Sequence, residues 1–95
     1  MMSFEIPKNV TWKSLKSGVV VLNMANGTYY TLNKTASDIW LAIRKGKRKD
    51  DILQEMMDSY DADEAQLKAD VEEIFFYLTK EALIINNDSG GKEEK

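Results

Sequence analysis

Hydrophobic residues change their spacing once along this chain, close to Asn33. Before that point they fall in short, β-branched runs. Val10-Thr11-Trp12-Lys13 reads as a brief strand, followed by a turn centred near Ser17-Gly18. Val19-Val20-Val21-Leu22-Asn23-Met24 has the composition of a strand lying against a core. Asn26-Gly27 is a strong hairpin signal, because both residues tolerate the positive φ of a type I′ turn. Thr28-Tyr29-Tyr30-Thr31-Leu32 is then the return strand. A two-residue loop predicts Met24 opposite Tyr29 and Leu22 opposite Thr31 on one face. On the other face it sets Asn23 opposite Tyr30 and Val21 opposite Leu32, with Tyr30 and Leu32 pointing inward.

Beyond Asn33 the apolar positions recur at helical intervals. Asn33, or Thr35 with Asp38 three residues on, supplies a cap. Ala36, Ile39, Trp40 and Ile43 follow the spacing of one buried face, and Gly46 can take the left-handed conformation that stops a helix. A second helix is expected from about residue 50 to 60, with Leu53, Met56, Met57 and Tyr60 on its inner stripe. Asp61 or Asp63 caps a longer third helix running to about Lys80, and Glu64 favours its positive end. Leu67, Val71, Ile74 and Leu78 form that helix's expected core stripe. Leu83-Ile84-Ile85 is a short apolar end suited to a strand packing back. Strands followed by helices predict an α+β fold, a small sheet needing helices across one face. Residues 1–9 are expected to be flexible, residues 10–85 to form one domain, and residues 86–95, without an apolar side chain after Ile85, to be a disordered tail.

Composition narrows the chemistry. Among 95 residues there is no Cys and no His. That removes thiolate metal sites, disulfides and Cys nucleophiles, and also the commonest general base and metal ligand. Catalysis would have to rest on carboxylates, Lys and Tyr, so no enzymatic role and no cofactor are expected. The 13 basic and 16 acidic residues leave a net charge of -3, opposite to the surplus that phosphate binding needs. The one basic cluster, Arg44-Lys45-Gly46-Lys47-Arg48-Lys49, runs directly into Asp50-Asp51. No apolar run reaches the roughly 20 residues that cross a bilayer, and the N-terminus lacks a secretory pattern. A cytoplasmic protein binding neither nucleic acid nor membrane is expected. The carboxylates of Asp58, Asp61, Asp63 and Glu64 lack the Gly and distal Glu of a calcium loop, and read as helix-capping charge.

Several segments resemble the PqqD family. Gly27-Thr28-Tyr29-Tyr30-Thr31-Leu32-Asn33 is similar to its glycine, tyrosine, Leu-Asn segment, and Ala36 with Ile39-Trp40 to its Ala-x-x-Ile-Trp. The spacing through Gly46, Ile52, Tyr60-Asp61, Asp63, Asp70-Val71, Leu78 and Leu83-Ile84 is similar too. Family members often carry Gly before the final pair, where this chain has Ala82. The resemblance implies a winged-helix-like domain, a small three-stranded antiparallel sheet on a three-helix bundle, known as a RiPP recognition element. Such domains bind the leader region of a ribosomally made precursor peptide as an added strand, against the third helix. They present it to a tailoring enzyme, often a radical SAM protein; the founding member serves pyrroloquinoline quinone synthesis.

Carried onto this chain, the docking strand is Thr28, Tyr29, Tyr30, Thr31 and Leu32, an edge without the charge or Pro that usually blunts one. On the third helix Lys68, Glu72, Phe75 and Phe76 are the expected wall, since the two Phe widen the apolar surface beyond a single core stripe. Plainer readings stand beside these. The strand can be a simple hairpin arm, Phe75 can widen the core, and Lys68 with Glu72 can pair along the helix. A winged-helix DNA-binding protein is the competing function, opposed by Asp61, Asp63 and Glu64 at the start of the third helix. Val20, Leu22, Met24 and Tyr29 share the outer sheet face, a patch suited to an enzyme contact or to a weak dimer of an otherwise monomeric protein.

Overall fold

A computed structural model of the protein describes residues 4–61 and 63–86. The chain runs β1 (Phe4–Glu5), β2 (Val10–Leu15), β3 (Gly18–Asn23), β4 (Thr28–Thr31), α1 (Lys34–Arg44), α2 (Lys49–Ser59), α3 (Glu64–Lys80) and β5 (Ile85–Asn86). Strands β2, β3 and β4 form an antiparallel sheet in that order, and β1 pairs with β5 in a separate two-stranded ribbon. The fold is α+β.

The β3–β4 hairpin differs from the sequence expectation. Val20 faces Thr31, Val21 faces Tyr30, Leu22 faces Tyr29 and Asn23 faces Thr28. The connection is therefore four residues, 24–27, with the register moved by two. Asparagine side chains explain the wider loop. Asn23 Oδ1 accepts from the Ala25 N–H at 2.9 Å and from Asn9 Nδ2 at 3.1 Å, and Asn26 Oδ1 accepts from the Thr28 N–H at 2.9 Å. The Gly27 N–H closes the turn onto the Asn23 carbonyl with φ +72°. A shift of two preserves the faces, because side chains alternate with period two. Val19, Val21 and Leu32 accordingly point inward and are buried, with Tyr30 half-buried beside them.

At the start of β3, Gly18 has φ +136°, and a Cβ there would collide with the Leu32 carbonyl oxygen. Ser37 Oγ sits in the same corner, donating to that carbonyl at 3.1 Å and accepting from the Val19 N–H at 2.8 Å. This knot ties the sheet to the first turn of α1, whose N-cap Asn33 accepts from the Ala36 N–H.

Helix α1 buries Ala36, Ile39, Trp40 and Ile43 on the expected face. In α2 the innermost residues are Ile52 and Met56, with Leu53, Met57 and Tyr60 half-buried, so its stripe is rotated toward Ile52 from the expected one. In α3 the stripe likewise turns. Leu67, Val71, Phe75 and Leu78 are buried while Ile74 is only partly so. The cause is β1, expected to be flexible chain: Phe4 is 7% exposed and its ring lies 4.8 Å from that of Phe75. Asp63 caps α3 by accepting from the Gln66 N–H at 3.0 Å. Ala82, at φ +60°, ends it in a left-handed cap, with Leu83 N–H bonded to Leu78 O and Ala82 N–H to Thr79 O. Leu83 and Ile84 then return into the core before β5. Asn86, placed in the expected tail, belongs to β5, and the rest of that tail lies outside the described residues.

Candidate functional site

The free edge of β4 carries main-chain groups without a partner among the described residues. The Leu32 N–H donates to Val19 O at 2.8 Å, which makes this a hydrogen-bonded pair. Antiparallel ladders alternate, so Tyr30 also bonds inward to β3, while Tyr29 and Thr31 direct both N–H and C=O away from it. No charged side chain or Pro interrupts β4. A segment laid antiparallel along this edge would meet two N–H donors and two C=O acceptors. Its inward side chains would point where Tyr30 points, and its outward ones would lie beside Tyr29, which is 69% exposed.

Tyr30 connects this edge to α3. Its hydroxyl donates to Glu81 Oε1 at 3.1 Å and its ring meets that of Tyr77 edge-on at 6.4 Å. Partial burial, then the hydrogen bond to Glu81 and that residue's charge, raise the Tyr30 phenol above its ordinary pKa. The phenol is therefore neutral and a donor throughout the physiological range. Asp70, Ile74, Tyr77 and Glu81 recur at i, i+4, i+7 and i+11, a single face of the helix. Through Tyr77 and Glu81 this flank of α3 meets the open strand.

The residues expected to form the wall lie on the opposite flank. Phe75 is 3% exposed, packed on Phe4, with the Lys49 ammonium 5.5 Å above its ring. Glu72 pairs with Lys49 of α2. Phe76 is 70% exposed and, with Glu72, Thr79 and Asn86, borders a small hollow beside the β1–β5 ribbon. Lys68 is exposed on the same side. The structure thus brings Thr28, Tyr29, Tyr30, Thr31 and Leu32 together as one edge, but sets Lys68, Glu72, Phe75 and Phe76 apart from it. Tyr77 and Glu81 were not singled out by sequence. Their signal was the stripe they share with Asp70 and Ile74, as regular as the stripe of Lys68, Glu72, Phe75 and Thr79.

The outer sheet face carries Leu15, Leu22 and Tyr29 around a shallow hollow with Val20 and Lys13. Among the described residues no cluster of Asp and Glu is arranged to hold a metal ion, and no helix is long and apolar enough to cross a membrane.

A small α+β domain whose sheet ends in an open strand beside its longest helix is the class these features define. The chain belongs to the PqqD family: the family model described as coenzyme PQQ synthesis protein D matches residues 18–84. Among solved structures it is similar to TbiB1 in complex with the TbiA(beta) leader peptide, with 26% identity and a TM-score of 0.79 over 84% of this chain and 93% of that one. It shares its fold with a lasso peptide synthetase B1 complexed with the leader peptide, at 20% identity and TM-score 0.79, over 87% of this chain and 98% of that one. No curated protein matches the sequence.

Proposed function

We propose that this protein is a non-catalytic carrier that binds the leader region of a ribosomally made precursor peptide by β-strand addition and presents it to a tailoring enzyme. The observation that carries the reading is the vacant edge of β4, with the outward main-chain groups of Tyr29 and Thr31 free beside Tyr30, whose side chain reaches Tyr77 and Glu81 of α3. Membership of the PqqD family and likeness to structures solved with leader peptides support it. Radical SAM enzymes are the partner class that the family resemblance implies, and the cytoplasm is where such a pair would meet. Tyr77 and Glu81, which touch Tyr30, support the flank they share with Ile74 as the wall of the cleft, in preference to Lys68, Glu72, Phe75 and Phe76.

Magnitudes fit a transient complex. Four main-chain hydrogen bonds at a net ~1 kcal/mol each contribute about 4 kcal/mol. Two apolar side chains buried at ~1.5–3 kcal/mol each bring the gross gain to roughly 7–10 kcal/mol. Ordering the peptide opposes this by several kcal/mol, so micromolar affinity, about -8 kcal/mol, is near the ceiling for the peptide alone. The test is to titrate isotope-labelled protein with the leader segments of short precursor-like peptides, taken first from any encoded beside its gene. Amide shifts should concentrate at Tyr29, Thr31, Ile74 and Tyr77. Shifts confined to the basic turn at residues 44–49 would overturn the reading.

A further inference from the structure

The cleft between β4 and α3 has a one-sided charge. No charged residue occurs between Lys16 and Lys34, so the strand wall is neutral. The helix wall is mainly acidic: Asp70 and Glu81 are half-buried on the stripe that holds Tyr77, and exposed Glu73 and Lys80 border it. Lys34, the first cation after β4 in the chain, is bonded to Asp38 at 3.3 Å. The acids leave acceptor capacity free. Among the described residues Glu81 Oε1 accepts from the Tyr30 hydroxyl and Asp70 Oδ1 from Gln66 Nε2, each carboxylate using one oxygen. Between them lie Ile74 and Tyr77, so the wall reads acid, apolar, acid along its length.

Spacing converts this wall into a pattern for its occupant. Inward-facing side chains of an added strand repeat every two residues, roughly 6.8 Å. Successive members of the helix stripe, three or four residues apart, repeat every ~4.5–6 Å. Neighbouring inward positions of the strand therefore meet neighbouring members of the stripe. Resting on the strand-docking reading, we infer that the segment recognised here carries an aliphatic side chain seated on Ile74 and Tyr77, with a Lys or Arg two residues from it that pairs with Glu81 or with Asp70 and Glu73. Acids stand at both ends of the apolar seat, so the cation is accommodated on either side.

The experiment uses three short synthetic peptides of one extended sequence, with Leu at the centre and Lys, Gln or Glu two residues to each side. Binding is read by fluorescence anisotropy at low salt and by amide shifts of the labelled protein. The Lys peptide should bind on the order of tenfold tighter than the Gln peptide, with the Glu peptide weaker still, the preference shrinking at high salt. An Asp70→Asn, Glu73→Gln, Glu81→Gln variant, its fold checked by melting, should bind Lys and Gln peptides alike; the amide oxygen placed at position 81 still accepts from Tyr30. Equal binding of the Lys and Glu peptides, with shifts at Tyr29 and Thr31, would overturn the charge rule and leave strand docking standing. Absence of shifts at those two amides with every peptide would remove both.

Discussion

Placing proline at Thr31 separates docking from folding. The Thr31 N–H points away from β3, because the neighbouring Leu32 N–H is the one bonded to Val19 O. A proline ring at 31 deletes an outward donor and occupies the space of an incoming carbonyl, while the ladder to β3 keeps its bonds; edge strands accept proline for this reason. One direct bond is lost and the adjacent one is pushed out of reach, about 1 kcal/mol each, so peptide affinity should fall by about 2 kcal/mol or ~30-fold. Stability should fall by less than ~1 kcal/mol. Tyr30→Pro is the control with opposite wiring: it cuts a bond to Val21 and discards the Glu81 contact, and should cost about 3 kcal/mol of stability. Anisotropy with a labelled leader peptide gives the first quantity and urea denaturation the second. A folded Thr31→Pro protein that binds as tightly as the parent would show that the occupant does not hydrogen-bond to this edge.

Four further outcomes follow from the packing. Gly18→Ala meets both a positive φ and the Leu32 carbonyl, and should lower stability by about 2–3 kcal/mol, seen as a fall of about 10 °C or more in Tm. Phe4→Ala removes a ring packed at a tilt against Phe75 and should cost about 3 kcal/mol in urea denaturation; a negligible change would mean β1 is not part of the core. Ala82→Gly relieves a left-handed alanine in the α3 cap and should stabilise by about 1 kcal/mol, measured as a higher Tm. The Tyr60 phenol is raised above 10.0, first by burial and then by its 2.6 Å bond to Asp38. The folded state therefore prefers the neutral phenol, giving stability that is present below pH 10.0 and lost as pH rises through the folded pKa. Tyr60→Phe should cost about 1 kcal/mol at pH 8 and flatten that alkaline loss in denaturation curves taken from pH 8 to 11.

Local signals carried much of this fold. The caps at Asn33 and Asp63, the buried face of α1 and the inward direction of Tyr30 and Leu32 all depend on residues within one turn or one strand of each other. What failed was decided at longer range. Asn26-Gly27 suits a two-residue loop, yet Asn23 is bonded to Asn9, 14 residues away, which favours the wider turn. A helical wheel of α3 has two flanks around one core stripe and cannot say which faces the sheet. Phe75 and Phe76 drew attention to one flank because aromatic rings are conspicuous, but Phe75 is buried by Phe4, from a two-residue strand too short to register as a pattern. The flank beside β4 holds an aromatic of its own, Tyr77, and only the contact with Tyr30 distinguishes it.

The clasp of β1 on β5 brings the first and last described residues, Phe4 and Asn86, into register with each other. These two ends of the described chain therefore lie together, on the Phe75 side of α3, whereas the vacant strand lies on the Tyr77 side. A second protein gripping that ribbon would stand on the far side of α3 from the open strand and leave the cleft uncrowded. The domain thus has a handle and a receiving edge on separate sides, and either can be occupied while the other stays open.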